Sequence, residues 1–276
     1  MAPRLERSVS RGVALLGDPG RPGGVTFAFT ERTGGVSEGP YASLNLGPRS
    51  GDDPAAVAEN RRRALVALGV PEARLAALVS PHQVHGSHVL LVDDASPEAL
   101  AKARSQGEEG ADAVVCTVPG VPVMLVFADC LPVVICAPAA FAVAHSGWRG
   151  TMRCIAGKTL LALCEAAGCE PSACVAYIGP HVTGEDYEVS RELRQRFLGR
   201  FGSMVAKQGR RLDLAQAVRS TLEGEGMAPD SILDCGLSTM RCGDRFYSWR
   251  AEAGTCGRHG ALAYLPVQQE EGSARL

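Results

Sequence analysis

Three apolar runs between residues 121 and 145 constrain the fold of this chain most strongly. They cover 121–127, 131–137 and 141–145 and consist almost entirely of aliphatic, aromatic and small residues. Short runs of this kind, with Pro119 and Gly120 before the first, are typical of buried β-strands. None approaches the roughly 20 apolar residues that a membrane-spanning helix needs. The sequence therefore predicts a core of adjacent buried strands, and we do not expect this chain to be a membrane protein.

Further elements surround these strands. Asp53 and Pro54 form an N-cap and first-turn pair before a helix predicted over 55–68, which Gly69 ends. The remaining predicted strands are 84–92, 113–116, 175–178, 232–234 and 261–265, and the remaining predicted helices are 151–167, 191–201 and 213–223. Because strands and helices mix without a regular βαβ alternation, we predict an α/β fold of the α+β type. It would be one domain with mixed β-sheets flanked by helices.

The 276 residues suit a single large domain with a substantial core. Residues 1–23 are rich in Arg, Gly and Pro, and we expect a flexible N-terminal segment there. Residues 24–267 are expected to form the catalytic domain, and 268–276 a polar tail. The sequence contains no evident linker, internal repeat or low-complexity segment between the two ends.

Charge and cysteine usage limit the function further. A net charge of −2 provides no overall positive field for a nucleic acid partner. None of the ten cysteines forms a Cys-x-x-Cys pair. A secreted disulfide framework is one explanation for them, but the N-terminus lacks the apolar stretch of a signal peptide. We therefore expect a cytoplasmic protein with reduced thiols.

Histidine is scarce, and three of the six histidines fall within 82–88. On the predicted strand, His82 and His88 would share one face and His85 would occupy the other. Cys130 follows a predicted buried strand, and His145 ends another. One thiolate with two imidazoles suits zinc and leaves a fourth coordination position open. The spacing alone is not diagnostic, so a buried cysteine with two hydrogen-bonded histidines is also consistent with it.

Three motifs resemble one protein family. They are His-Gln-Val-His-Gly at 82–86, Ala-Asp-Cys-Leu-Pro at 128–132 and Ala-His-Ser-Gly-Trp-Arg-Gly at 144–150. Together they resemble the YfiH or laccase-domain family, whose members have been called polyphenol oxidases and purine nucleoside phosphorylases. Further similar stretches, in the same order from about residue 24 to 265, are 29–37, 41–47, 52–54, 59–61, 178–180, 246–250 and 257–258.

The resemblance implies a zinc site formed by His85, Cys130 and His145, which would also be the catalytic centre. It implies phosphorolysis of adenosine, inosine, guanosine and methylthioadenosine, with adenosine deamination as a second reaction. Purine nucleosides and phosphate are thus the expected partners, while the oligomeric state is not indicated. Zinc is the expected cofactor, and copper is an alternative metal because it binds such ligands more tightly.

The resemblance also provides candidates for substrate binding. Arg149 lies at the start of the helix predicted over 151–167, where a guanidinium and helix amides would both favour phosphate. Arg32 and Arg250 are further phosphate candidates, or structural ion-pair partners. Asn45 would bind ribose or base, or else cap a turn. Asp129 would orient a ligating histidine, or else cap its own turn.

Aromatic residues in the same motifs have two available roles. Trp148, Phe246 and Tyr247 either stack on a purine or pack in the core, and we favour core packing.

Three other functions use the same residues. A laccase-type copper oxidase needs more histidines than six, so copper-dependent phenol oxidation is expected only as a side activity. A metal-free thiol hydrolase would use Cys130 as nucleophile and His145 as base. A zinc-dependent binding protein without turnover would unfold when Cys130 is replaced.

Overall fold

The structure is a computed structural model that describes residues 2–267. Within this range the strands are β1 (Glu6–Ser10), β2 (Val13–Gly17), β3 (Thr26–Thr30), β4 (Val89–Val92), β5 (Ala113–Cys116), β6 (Val123–Phe127), β7 (Leu131–Ala137), β8 (Ala140–Ser146), β9 (Val175–Ile178), β10 (Ile232–Asp234) and β11 (His259–Tyr264). The α-helices are α1 (Pro54–Leu68), α2 (Glu72–Leu75), α3 (Pro97–Glu109), α4 (Trp148–Met152), α5 (Ile155–Ala167), α6 (Arg191–Phe201) and α7 (Leu214–Gly224).

The strands form two sheets. The first is antiparallel with the order β1-β2-β3-β11-β6. The second has the order β10-β9-β7-β8-β5-β4 and is mixed, because β10 runs parallel to β9 and β4 runs parallel to β5. This arrangement confirms the predicted α/β domain with mixed sheets and flanking helices.

The two sheets pack face to face between layers of helices. Apolar residues from both sheets, such as Phe27 and Leu125 of the first and Val134 and Val143 of the second, form the central core. The outer face of the first sheet packs against α1, and the outer face of the second packs against α5, α6 and α7. The three apolar runs of the sequence form β6, β7 and β8. One face of each strand packs against the other sheet and the opposite face packs against helices, so both faces are buried.

Local signals positioned several helices as predicted. Asp53 caps α1 by accepting a hydrogen bond from the Ala55 amide at 3.0 Å, and Gly69 ends the helix with φ 98°. The residue has a left-handed conformation there, which glycine adopts without steric cost. α6 matches its predicted range, and Asp213 caps α7 through the Gln216 amide.

Three expectations about local structure differ from what the structure contains. The segment 1–23, expected to be flexible, contains β1 and β2, which pair antiparallel and bury the apolar residues of β2. The strand predicted over 84–92 is confined to β4, because His85 has φ 57° and the preceding segment forms a loop. The helix predicted over 151–167 is two helices, since the chain leaves the helical conformation at Cys154, where φ is 55°.

The sequence patterns did not predict β3, α2 or α3, and the polar tail expected over 268–276 lies outside the described residues. α3 does carry a local signal, since the Ser96 hydroxyl accepts from the Ala99 amide and Pro97 occupies the first turn. Across residues 2–267, every helix is too short or too polar to cross a bilayer.

Candidate metal centre and active-site cavity

The strand pairing of the second sheet brings the three predicted ligands together. Leu131 at the start of β7 pairs with Ser146 at the end of β8, so Cys130 and His145 meet at one end of the sheet. His85 arrives from the loop before β4, whose start lies at the same end. The ligand atoms of the three residues all lie within 4.8 Å of one another, and Cys130 Sγ is 3.8 Å from His85 Nε2. His85 and Cys130, which are 45 positions apart in the sequence, are therefore in direct contact.

Asp112 orients the ring of His145 and holds the backbone of His85. It is fully buried, and its Oδ1 accepts from His145 Nδ1 at 2.7 Å and from the His85 amide at 2.9 Å. Its Oδ2 accepts from the amides of Gly86 at 2.6 Å and Val84 at 3.2 Å. His145 therefore directs its other nitrogen, Nε2, toward the cluster, and the carboxylate stabilises the left-handed loop that carries His85.

The motifs offered Asp129 two roles, orienting a ligating histidine or capping its own turn, and Asp112, which the sequence analysis overlooked, takes the first of them. A signal existed, because Asp112 directly precedes β5, whose first residue pairs with Ala144 beside His145. Asp129 instead stabilises the turn in which it lies, where its backbone is left-handed with φ 83°. Its carboxylate accepts from the hydroxyls of Thr239 and Ser248, each at 2.7 Å, and from the Arg250 amide at 2.8 Å. It therefore attaches the segment 239–250 to the cysteine turn.

Gly147 leaves the space that the cluster occupies. A Cβ atom at this position would lie 2.9 Å from Cys130 Sγ and 3.0 Å from His85 Cδ2, closer than such atoms approach. The donor set of one sulfur and two imidazole nitrogens suits zinc or copper. Because the donors converge where any side chain at residue 147 would intrude, these residues fit a bound metal ion.

Cys130 and His145 shift each other's protonation. Burial alone would raise the pKa of the Cys130 thiol, but the neighbouring imidazoles of His145 and His85 lower it to about 6. Burial alone would lower the pKa of His145, yet the sulfur charge and the Asp112 carboxylate raise it to about 9. Without a metal, the two therefore form a thiolate–imidazolium pair at neutral pH. A metal ion would replace the proton on His145.

The cluster lies in the wall of a cavity of about 500 Å³, a size typical of small-molecule sites. Its lining includes the arginines Arg49, Arg61, Arg149, Arg250 and Arg258. Of these, Arg49 alone has a carboxylate partner within residues 2–267, namely Glu108 at 2.6 Å. Asp129 is the one carboxylate in the lining as described, and its oxygens are already hydrogen-bonded. The cavity is therefore electropositive although the chain carries a net charge of −2.

Two of the four predicted substrate- and phosphate-binding residues reach this cavity. Arg149 is exposed, and its guanidinium lies 4.4 Å from the ring centroid of Trp148. Arg250 stacks over Tyr187 at 4.4 Å and donates from Nη1 to the Glu188 carbonyl at 2.7 Å.

The other two predicted residues do not line the cavity. Arg32 stacks over Tyr247 at 4.2 Å, forms an ion pair with Glu252 at 3.0 Å, and donates to the carbonyl of Ala42. Asn45 is fully buried, and its side-chain oxygen accepts from the amides of Gly47 and Arg258. The structure thus uses both side chains to hold loops together.

Several residues that sequence reasoning missed also line the cavity. Arg61 donates from Nε to the Leu46 carbonyl at 2.9 Å, and burial, with Arg49 nearby, lowers its pKa to about 10. Trp249 is half exposed and has the Arg258 guanidinium 5.0 Å from its ring centroid. Arg61 and Trp249 lie in the similar stretches 59–61 and 246–250, but motif membership alone does not show which side chains face a cavity.

The predicted aromatic residues divide between the cavity and the core. Phe246 and Tyr247 are fully buried and lie outside the cavity lining, as core packing predicts. Trp148 is partly buried, packs against the core of the second sheet and also lines the cavity.

The remaining histidines have separate positions. His82 lines the cavity, and His88 contacts the Gly110 carbonyl through Nδ1 at 2.9 Å. His181 is buried and contacts the Gly179 carbonyl at 2.8 Å. His259 is fully buried, with its ring between Phe127 and Phe246, and within residues 2–267 neither of its ring nitrogens has a hydrogen-bond partner. Burial lowers the pKa of His259 to about 3.

The fold and site define a class: a four-layer α/β domain with a metal-capable His/Cys/His cluster in an arginine-lined cavity. The family model described as "multi-copper polyphenol oxidoreductase laccase" matches residues 26–266. The chain therefore belongs to this family, as the motifs predicted. Within residues 2–267 the cluster is one group of three donors, which is smaller than the multi-copper centre in the family's description.

Relatives and solved structures agree with this assignment. A purine nucleoside phosphorylase of Deinococcus radiodurans is 39% identical over 261 residues, which cover 91% of this chain and 94% of the relative. A purine nucleoside phosphorylase of Streptomyces coelicolor is 35% identical over 91% of this chain and 100% of the relative. The crystal structure of YlmD from Geobacillus stearothermophilus superposes with a TM-score of 0.83 at 29% identity, covering 96% of this chain and 100% of that one. YfiH from Bacillus licheniformis has a TM-score of 0.82 at 26% identity and covers 94% and 97%, respectively.

Proposed function

We propose that this chain is a zinc-dependent purine nucleoside phosphorylase. It would convert adenosine, inosine, guanosine and methylthioadenosine to the free base and the sugar 1-phosphate. The observation that carries the proposal is that four arginines without a carboxylate partner in residues 2–267 share one cavity with the metal-capable cluster. The names of the relatives support the substrate class.

The cavity arginines supply the phosphate site. Arg149 is exposed, stacks on Trp148 and has no ion pair within residues 2–267, so its guanidinium is available for an anion. Arg250 is held by Tyr187 and by a carbonyl, which restricts its side chain before substrate binds. The planar guanidinium fork matches two phosphate oxygens at once, and such charge-assisted hydrogen bonds are stronger than neutral ones.

Aromatic side chains in the lining supply a surface for the base. Trp249, Tyr187 and Trp148 each contribute a ring to the cavity. A purine stacks on such rings without depending on its substituents, which suits an enzyme that accepts several purine nucleosides.

The metal would be held by His85 Nε2, Cys130 Sγ and His145 Nε2. When bound, zinc supplies a positive charge and an open coordination position beside the arginines. Asp112 keeps the His145 ring oriented and the His85 backbone in place, and Gly147 leaves space beside Cys130 and His85. Copper binds the same donors more tightly than zinc in the general order of metal affinities. A copper-loaded form would therefore oxidise phenols as a side activity.

In phosphorolysis, a phosphate oxygen bonds to the anomeric carbon of the ribose while the bond from that carbon to the base breaks. The base leaves with the bonding electron pair and takes up a proton from solvent. Arg149 and Arg250 hold the phosphate for this attack, and the aromatic lining holds the base. Positioning of this kind lowers the entropic part of the barrier.

The test is to incubate zinc-loaded protein with adenosine, with and without phosphate, and to separate the products by chromatography. Adenine that forms only with phosphate, and is lost in Cys130→Ala, is the expected result. Arg149→Gln should weaken phosphate binding about tenfold, since a charged hydrogen bond contributes roughly 1.5 kcal/mol or more. Arg153→Gln is the matched control, because Arg153 is exposed and lies outside the cavity lining. Inosine without phosphate would indicate the family's expected deamination as the main reaction, and the absence of both products would overturn the proposal.

A second candidate function is metal-free thiol hydrolysis. It is favoured by one observation, the series Cys130, His145 and Asp112, in which the thiol has a lowered pKa and the imidazole is oriented by a carboxylate. This function predicts activity that persists after chelation and disappears on alkylation of Cys130. The zinc-dependent reaction predicts loss of activity in both treatments.

We also propose that the protein works in the cytoplasm. All ten cysteines are free thiols, a state that a reducing compartment maintains.

A further inference from the structure

A second cluster of side chains that could bind a metal lies outside the cavity lining, at the end of α5. Its members are Cys164 in the last turns of α5, Cys169 just after it, and Cys174 directly before β9. The sulfur of Cys174 lies 3.8 Å from that of Cys164 and 4.0 Å from that of Cys169. All three sulfur atoms lie within 4.8 Å of one another.

Backbone structure holds the three cysteines in place. α5 ends at Gly168, whose φ is 62°, and the Cys169 amide donates back to the Cys164 carbonyl at 3.0 Å. This reversal returns the chain over the last turn of the helix. A short 3-10 turn at Pro171–Ala173 follows, and the Cys174 amide donates to the Pro171 carbonyl at 3.1 Å. The thiols therefore converge because the helix terminus and the turn are fixed, and no long loop has to close.

The sulfur separations suit a shared soft cation. Zinc–sulfur bonds of about 2.3 Å in tetrahedral geometry place sulfurs about 3.8 Å apart. A disulfide between any two would bring them to about 2.05 Å and leave the third thiol without a partner. Two of the separations, at 3.8 and 4.0 Å, are already close to the spacing for a cation.

The surroundings are negative. Glu165 and Glu170 line the shallow surface depression beside Cys164 and Cys169, and no Lys or Arg contributes to that lining as described. The negative end of the α5 dipole points to the same place. This negative charge would attract a positive ion and repel an anion.

We propose that Cys164, Cys169 and Cys174 form a second metal site, which takes a soft thiophilic cation, zinc or copper(I). On binding, each thiol releases its proton to solvent and forms a bond to the metal, with no change in oxidation state. The site would join the end of α5 to the start of β9 and thereby stabilise the second sheet. It is independent of the His85/Cys130/His145 cluster and of nucleoside chemistry.

The experiment counts bound metal in the full-length protein. Reduced, metal-stripped protein is titrated with Cd²⁺, and thiolate-to-cadmium ultraviolet absorption and bound metal per chain are measured. The wild type should bind one cadmium ion at each of the two clusters. Cys169→Ser should lose one of these ions, and the matched control Cys242→Ser should keep both, because Cys242 is partly exposed and belongs to neither cluster.

Cys130→Ser provides a second variant that leaves the cysteine trio intact. It should still bind one cadmium ion, with the stronger absorption that three thiolates give. Subsequent displacement by Zn²⁺ or by Cu⁺ identifies which soft cation the trio prefers. Unchanged cadmium binding in Cys169→Ser, no thiolate absorption in Cys130→Ser, or displacement by neither cation would overturn the proposal. Because metal content is the readout, loss of nucleoside activity does not affect the outcome.

Discussion

Replacing Asp112 with asparagine tests how the proposed metal centre is held. The carboxylate accepts four hydrogen bonds, two on each oxygen, from His145 and from three successive amides. An asparagine oxygen can accept on one side only, and its NH₂ group would face N–H donors on the other. Asp112→Asn therefore removes at least two hydrogen bonds to a charged group and introduces a donor–donor contact.

The magnitude follows from these contacts. At about 1.5 kcal/mol for each lost hydrogen bond to a charged group, the free energy of unfolding should fall by about 3 kcal/mol. Metal affinity should fall about 10- to 100-fold, as expected when the partner of a ligating histidine is lost. Urea unfolding of metal-stripped protein measures the first quantity, and competition with a chromophoric chelator measures the second.

Asp93→Asn is the matched control, since Asp93 is exposed on the loop after β4. It should change the free energy of unfolding by less than about 0.5 kcal/mol. If Asp112→Asn retains metal affinity within about threefold of the wild type, then the carboxylate does not orient the ligands and the reasoning is refuted.

Three further predictions concern single residues. In metal-stripped protein, alkylation of Cys130 should reach half its maximal rate near pH 6, where the thiol pKa lies, and half-maximal alkylation near pH 8.5, the ordinary cysteine value, would contradict the thiolate–imidazolium pair. Gly147→Ala should lower zinc affinity at least about tenfold by displacing Cys130, whereas Gly199→Ala, where a Cβ meets open space, should not. The pKa of His259 is about 3 in the folded chain and about 6.5 in the unfolded chain. Above pH 6.5 this histidine therefore adds almost no pH dependence to the free energy of unfolding. Below that pH, His259 becomes protonated in the unfolded chain but not in the folded one. The free energy of unfolding therefore falls by about 2 kcal/mol by pH 5. The variant His259→Leu should lack this part of the loss in urea titrations at pH 7 and pH 5, and equal losses in both proteins would show that His259 is protonated in the fold.

Much of the secondary structure could be predicted from the sequence, because the signals are local. Apolar runs identified β5, β7 and β9, and capping residues identified α1 and α7. The expectation failed where distant contacts determine the backbone. His85 was assigned to a strand on its alternating neighbours, yet the Asp112 carboxylate collects three successive amides and bends that segment into a loop.

The site shows the same division. The motifs pointed to His85, Cys130 and His145, and these three residues do converge. Motif membership did not distinguish Arg149 and Arg250, which line the cavity, from Arg32 and Asn45, whose polar groups hold loops. A motif records which residues occur together and not whether a side chain faces a cavity or a neighbouring carbonyl.

Signals along the linear chain were enough to predict the fold class, the family and the three residues His85, Cys130 and His145 that converge. The fold class follows from local composition and periodicity, whereas the family and the three residues follow from the resemblance of motifs that occur in the same order along the chain. The tertiary structure decided the role of Asp112, the set of arginines without carboxylate partners, and the approach of Cys164 to Cys174. Strand pairing and helix termination place these groups within a few ångströms, and hydrogen bonds and charges act over such distances, whatever the separation along the chain.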